Sequence, residues 1–418
     1  MKRFYDAVII GAGPAGLAAA LSLKRNGIEK ILLVEREGYC GGVLTQCIHN
    51  GFGLHKFRKE LTGPEYAERY IELVEKERIE ILKKTIALDI IPLEEGLTLY
   101  LLSEEHGLPE VSARAVILAM GCRERNRGNL NIPGTRPEGI MTAGLAQKLV
   151  NIEGYMPGKE IVILGSGDIG LIMARRLTWE GARVKCVVEL QPYPGGLMRN
   201  VVQCLNDFNI PLYLSHTVTR IMGNRRIEAV EISPTDETAG PKERGRFIES
   251  CDTLLLSVGL VPENELSLKA GVMLDPVTGG PVVDSNLMTS VPGIFACGNV
   301  LHVHDLVDYV SDEAERCGEK AALYIMGRLK KKREIPVRTG NMVRYVLPSR
   351  IDIAEPVHLS LRPIAPEENT HLLLKANGSV IYKKKYRKIM PGSMIRFEAK
   401  NIPEETESLE ITFEGKTG

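Results

Sequence analysis

Short apolar runs, glycine clusters and helical stretches follow one another through most of the chain. Residues 7–10 read Ala-Val-Ile-Ile, then Gly-Ala-Gly-Pro-Ala-Gly, then an Ala- and Leu-rich stretch that ends near Gly27. A continuous apolar run of this length predicts a strand buried on both faces, and the stretch after the glycines predicts a helix packed on it. Residues 31–34 form a second apolar run that ends on Glu35. The same plan restarts at Ile161: a strand, Gly-Ser-Gly-Asp-Ile-Gly, a helix to Gly181, and a strand over 184–189 that ends on Glu189. In both copies 24 residues separate the first glycine from the acid.

Farther along, the pattern shortens. Strands are predicted at 342–346, 357–361, 372–375, 380–383, 394–398 and 409–413, and Asn377-Gly378 is a strong two-residue hairpin signal. The preceding helix is expected to end near Leu329. The run Lys330-Lys-Lys-Arg333, read as a solvated helix end, marks a boundary together with Pro336. These strands predict a small antiparallel β domain of sandwich type. It carries no clustered His, Cys or glycine loop, so its expected use is packing or partner docking.

Composition narrows the function. The 418 residues include 53 basic and 53 acidic side chains, so net charge is zero and no field favours nucleic acid or an anionic membrane. Aromatics at 5% do not supply base-stacking platforms. Length suggests about three units at roughly 150 residues each. Lys2 and Arg3 precede an apolar stretch, but Asp6 and the glycines spoil a leader, and no run reaches the ~18–20 apolar residues of a membrane helix. A cytoplasmic protein without membrane insertion is expected. Eight cysteines, none in a C-x-x-C pair, suit reduced thiols.

Glycine, 41 residues or about 10% against a typical ~7%, is concentrated where phosphate chemistry needs it. Gly11 and Gly165 permit a tight turn; Gly13 and Gly167 let backbone amides approach a diphosphate; Gly16 and Gly170 let helix pack on strand. The positive ends of the helices, at Pro14-Ala15 and Asp168-Ile169, face that diphosphate. Glu35, followed by Arg36, and Glu189 are placed to accept ribose hydroxyls. A carboxylate at 189 repels a 2′-phosphate, so NAD(H) is expected over NADP(H).

These motifs resemble the flavoproteins with two dinucleotide-binding domains, the group of thioredoxin reductase and the pyridine nucleotide-disulfide oxidoreductases. Residues 115–121, 252–259 and 291–299 resemble the family's connecting strands and late flavin motif, with Asn299 where the family usually has Asp. The resemblance spans residues 4–330. It implies an α/β fold of two Rossmann-like domains, one inserted in the other, followed by the β domain. The expected divisions are 1–125 with 263–332 for FAD, 126–262 for NAD, and 338–418 for the β domain. It also implies FAD contacts from Gly42, Ala87 (at the adenine), Ala119, Gly121, Gly298 and Asn299, with Val310 and Ser311 near the flavin ring at a helix start. Gly259 joins the NAD site.

Thioredoxin reductases carry C-x-x-C before the second glycine turn, and residues 140–147 hold no cysteine. The glutathione reductase branch has two cysteines after its paired glycines, whereas here only Cys47 follows Gly41-Gly42, with Cys40 before them. Disulfide reduction is therefore not expected. Residues 41–57 and 298–310 look most like the FAD/NAD-linked proteins associated with bacterial glycerol 3-phosphate dehydrogenases. More distantly the chain is similar to sarcosine oxidase, opine oxidase and hydrogen cyanide synthase flavin subunits. The resemblance implies an FAD-dependent NAD(P)H oxidoreductase that exchanges electrons with a partner dehydrogenase or small redox protein, in a homo- or hetero-oligomer. A free-standing NADH oxidase or peroxidase using Cys47, and a non-catalytic electron-transfer or assembly component, are the rivals.

Cys47, His49, His302 and His304 are the side chains with chemistry to offer. Cys47 reads as a packing thiol, a thiolate, or half of a Cys40–Cys47 disulfide. His302 and His304, with Asp305 following, read as proton donors or as polar groups satisfied in a loop. No third ligand is identifiable beside them, so no metal site is expected.

Overall fold

The computed structural model describes residues 3–330, 333–353 and 356–415; Lys331 and Lys332 of the basic run lie outside the described residues. The chain forms two compact units, Met1–Cys122 with Pro262–Gly418, and Arg123–Val261.

In the first unit the strand Arg3–Ile10 sits at the centre of a seven-stranded sheet. It pairs in parallel with Ile31–Val34 on one side and Glu110–Leu118 on the other, with Ile10 opposite Val34 and Leu118. Ala7, Val8 and Ile9 are fully buried because helices cover the sheet. The helix Pro14–Arg25 packs against the long helix Val307–Ile325, whose buried Val310, Ala314, Cys317, Ala321 and Ala322 form one stripe at helical spacing. The contact is close: a Cβ on Gly318 would lie 2.5 Å from the Ala19 carbonyl oxygen. The long helix ends at Ile325, where Gly327 takes φ +68, and not near Leu329 as the sequence pattern suggests.

The second unit holds five parallel strands in the order Ile140–Thr142, Thr253–Leu256, Glu160–Leu164, Arg183–Glu189 and Leu212–Leu214. The antiparallel strands His216–Gly223, Ile227–Pro234 and Phe247–Ser250 form a second sheet in this unit. Both glycine-turn repeats thus have the predicted strand–turn–helix form. Among the described residues no helix is long and apolar enough to cross a membrane.

The C-terminal segment forms a sandwich of five- and three-stranded sheets over one apolar core. Glu367–Ala376 and Ser379–Ile389 join through Asn377 (φ 47) and Gly378 (φ 86), the two positive values of a primed hairpin turn. Two strands had no sequence signal, Glu334–Thr339 and Arg350–Asp352. The antiparallel expectation is corrected at one place: Glu334–Thr339 runs parallel to Leu409–Glu414, Val337 opposite Leu409. The sandwich packs within the first unit, where Leu347 joins the core of the central sheet and the Asp352 amide donates to Ser285 Oγ at 3.0 Å.

Candidate functional site

The first glycine turn is built by close approach. Gly11 has φ +104, and a Cβ there would lie 2.5 Å from the Ala119 carbonyl. Gly13 caps the helix Pro14–Arg25 with no side-chain hydrogen bond and no acid in the first turn, which leaves its leading amides available to a ligand. Gly42 folds back so closely that a Cβ on it would sit 3.1 Å from the Gly13 Cα, while a Cβ on Gly13 would find nothing nearer than 3.9 Å. Gly298 closes the other side, since its Cβ would lie 2.8 Å from Ala15 and 3.3 Å from Val310. Gly13, Ala15, Gly42, Gly298 and Val310, predicted FAD residues from three parts of the chain, therefore come together at the first turn.

Glu35 is buried and accepts from the Ala12 amide at 2.8 Å and the Glu37 amide at 2.9 Å. Each carboxylate oxygen keeps a lone pair for a ribose hydroxyl. Uncapped amides, a gap shaped by glycine and a buried acceptor fit the diphosphate and ribose of FAD. Arg36 is exposed, Ala87 lies half-buried on the strand Thr85–Pro92, and Gly121 opens onto free space. Ser311 Oγ lies 2.8 Å from the Tyr66 hydroxyl, and the Asn299 amide oxygen accepts from the His304 backbone N–H at 3.0 Å.

The second turn repeats these contacts. Gly165 has φ +97, and a Cβ there would lie 2.1 Å from the Ser257 carbonyl. Gly170 donates its amide to Ser257 Oγ at 3.0 Å, and the helix Asp168–Trp179 begins at Gly167 without a side-chain cap. Glu189 accepts from the Ser166 amide at 2.9 Å and the Gln191 amide at 2.9 Å, as Glu35 does from Ala12 and Glu37. Gly195 and Gly196 then fold back onto Ser166, their amides donating to Oγ and O at 2.8 Å each. The repeat is thus longer than the spacing of glycine and acid reveals: Glu35-x-x-x-Tyr39-x-Gly41-Gly42 matches Glu189-x-x-x-Tyr193-x-Gly195-Gly196. Asp168, predicted to meet a cofactor, also accepts from the Leu197 amide at 2.8 Å and Asn200 at 2.7 Å. Ile169 is half-buried, and Gly259 (φ +101) faces open space.

Cys47 is not a preformed thiolate. Its Sγ donates to the Val43 carbonyl at 3.3 Å, the chain packs it against Gly63, and desolvation pushes the thiol up to about 12. Cys40 is buried with its thiol also raised, first by desolvation, and neither cysteine is in a disulfide, so that alternative is not formed. His49 Nδ1 lies 3.0 Å from the Asn50 carbonyl, with the ring beside Phe52.

His302 and His304 meet a residue that the sequence did not flag. Glu313, on the second turn of the helix Val307–Ile325, places Oε2 at 3.0 Å from His302 Nε2 and 3.5 Å from His304 Nε2; all three side chains are 1–3% exposed. Glu313 Oε1 accepts from the Gly298 amide at 2.8 Å. Despite desolvation, the largest influence, the two imidazoles hold the Glu313 carboxyl well below its usual range. Burial, then His304, pushes His302 down. The β sandwich covers the loop: Tyr345 Oη lies 3.3 Å from His302 Nδ1, and Arg362 donates to the Val303 carbonyl at 3.0 Å and to Asp305.

Two Rossmann-type glycine turns, each closed by a buried glutamate, define a two-dinucleotide protein. The chain belongs to the pyridine nucleotide-disulphide oxidoreductase family, whose pattern matches residues 5–314, and whose members bind FAD and use NAD(P)H. It is 29% identical over 316 residues to an alkyl hydroperoxide reductase subunit of Pseudomonas putida, covering 72% of this chain and 54% of that one. The chain thus spans about half the length of that relative. It is 25% identical over 357 residues to an opine oxidase subunit of Agrobacterium tumefaciens, covering 79% of this chain and 67% of that one. Thioredoxin reductase of T. acidophilum superposes with a TM-score of 0.62 at 25% identity, covering 78% of this chain and 98% of that one.

Proposed function

We propose that this protein is an FAD-dependent oxidoreductase that exchanges electrons between NAD(H) and a partner redox protein, a dehydrogenase of the glycerol 3-phosphate type. One observation carries this reading: two complete dinucleotide turns coexist with no C-x-x-C pair, and the paired thiols beside the first turn, Cys297 and Cys317, are fully buried. None of the eight cysteines is disulfide-bonded, and desolvation holds the half-buried Cys47 as a thiol. With no thiol relay, electrons must leave for a partner from the cofactor itself.

The chain's own groups perform binding and orientation. The uncapped amides at Gly13 and Gly167 hold the diphosphates, Glu35 and Glu189 receive ribose hydroxyls, and the carboxylate at 189 selects NADH over NADPH. Bound FAD supplies the ring that takes up a hydride equivalent. The similarity of residues 41–57 and 298–310 to glycerol 3-phosphate dehydrogenase-associated proteins supports the partner class, as does the likeness to a subunit of opine oxidase.

The test is anaerobic and aerobic mixing of the purified yellow protein with NADH. About one NADH should bleach each flavin. Consumption should then stall in air and resume only when the co-purifying dehydrogenase is added. Rapid oxidation of NADH in air would replace this reading with the NADH oxidase, and absence of bleaching would favour an assembly component.

A further inference from the structure

We propose that His302, His304 and Glu313 bind one divalent transition-metal ion, zinc or ferrous iron, beneath the β sandwich. One ligand atom from each of the three residues lies within 4.8 Å of the other two. The two nitrogen-to-oxygen separations, 3.0 and 3.5 Å, bracket the ligand–ligand edge of about 3.3 Å in a tetrahedron with ~2.0 Å metal bonds. Two imidazoles and one carboxylate are a donor set suited to zinc or ferrous iron.

Hydrogen-bond accounting gives the stronger reason. The His304 backbone N–H can only donate, so the Asn299 atom it meets at 3.0 Å is the amide oxygen. The same oxygen lies 3.3 Å from His304 Nδ1, which must then carry a hydrogen. In a neutral imidazole this leaves a lone pair on Nε2, aimed at a carboxylate oxygen 3.5 Å away. Two acceptors facing each other in a dry interior need a cation between them. Glu313 Oε1 is taken by the Gly298 amide, and Oε2, 3.0 Å from His302 Nε2, is the oxygen that would coordinate, the ion taking the place of a hydrogen between them. Asn299 on His304, and Tyr345 beside His302 Nδ1, stand where ligating histidines keep their outer partners.

A proton on His304 would satisfy the same geometry, and metal content separates the two cases. Because the ligands are buried under the sandwich, loading is expected during folding. The full-length holoprotein is therefore expressed in media supplemented separately with zinc, ferrous iron or cobalt, purified, dialysed against a mild chelator, and assayed for metal and flavin. The expected result is about one metal ion per chain, with a cobalt-loaded form showing visible d–d bands of a low-symmetry nitrogen/oxygen site. His304→Gln should lose the metal while keeping flavin content. Asn299→Ala should weaken retention about tenfold to a hundredfold through the imidazole it orients. Flavin-loaded wild-type protein without stoichiometric metal from any medium overturns the proposal, as does equal metal retention by His304→Gln.

Discussion

Glu189 accepts both the backbone N–H and the hydroxyl of Ser166, at 2.9 and 2.5 Å, on the same carboxylate oxygen. At the first turn Ala12 offers only its N–H to Glu35, at 2.8 Å. The serine uses up an acceptor position, so Glu189 has one lone pair left, on Oε1, where Glu35 has one on each oxygen. In the proposed function the second turn therefore offers a ribose fewer acceptor positions than the first.

Substitution at this acid follows directly. Glu189→Gln should raise the NADH concentration needed for half-bleaching of the flavin about tenfold, the worth of one charged hydrogen bond. Titration with NADPH should show weaker binding to the wild type and a smaller NADH preference in the variant. Equal affinity of the wild type for both nucleotides would contradict the role given to the carboxylate.

Gly13→Ala separates folding from cofactor binding. The backbone there is extended, φ −76 and ψ −174, and the added methyl meets nothing closer than 3.9 Å. Stability of the protein stripped of flavin should change by no more than about 0.5 kcal/mol. Flavin content should nevertheless fall sharply, because the methyl occupies the gap the diphosphate needs. Absorbance per chain and thermal melts of the stripped protein measure both.

Cys47 should be chemically quiet. With its thiol pushed to about 12, alkylation at neutral pH is expected to be much slower than for an exposed cysteine, and Cys47→Ser should keep NADH reduction of the flavin. Cys186 and Cys251 are also pushed to about 12 by desolvation. A folded pKa above the ordinary 9.0 means that the unfolded chain loses these protons first. Stability should therefore hold below pH 9 and decline from 9 towards 12. Denaturant midpoints across that range, compared with those of Cys47→Ser, read out the contribution of that thiol.

Arg362 ties the sandwich to the loop before the long helix, through the Val303 carbonyl and Asp305. Both charged side chains are 14% exposed, so Arg362→Ala strands a nearly buried carboxylate and should cost about 3 kcal/mol in urea unfolding. Arg362→Lys should recover only part of this, because an ammonium lacks the guanidinium's second arm, whose Nη1 donates to the Pro391 carbonyl at 3.0 Å.

How much of this was readable along the chain differs from element to element. Strand, glycine turn, helix and terminal acid are contiguous, and their residues are chosen by local demands such as positive φ and uncapped amides. Gly11, Gly165, Glu35 and Glu189 could therefore be placed without any tertiary information, as could the Asn377-Gly378 hairpin. The ends of the long helix and the strand Glu334–Thr339 were harder, since Gly327 and the parallel partner Leu409–Glu414 act through a cap and a distant pairing.

The cluster around His302 marks the other limit. Glu313 stands among charged neighbours, Asp312, Glu315 and Arg316, and nothing local marks it as the one that is buried. Packing of that helix on Pro14–Arg25 turns Glu313 inward, and the sandwich covers the histidines with Tyr345 and Arg362. Local propensity and backbone sterics set the two nucleotide turns. Burial of a carboxylate against two imidazoles depends on segments distant in sequence coming together, and only their packing could show it.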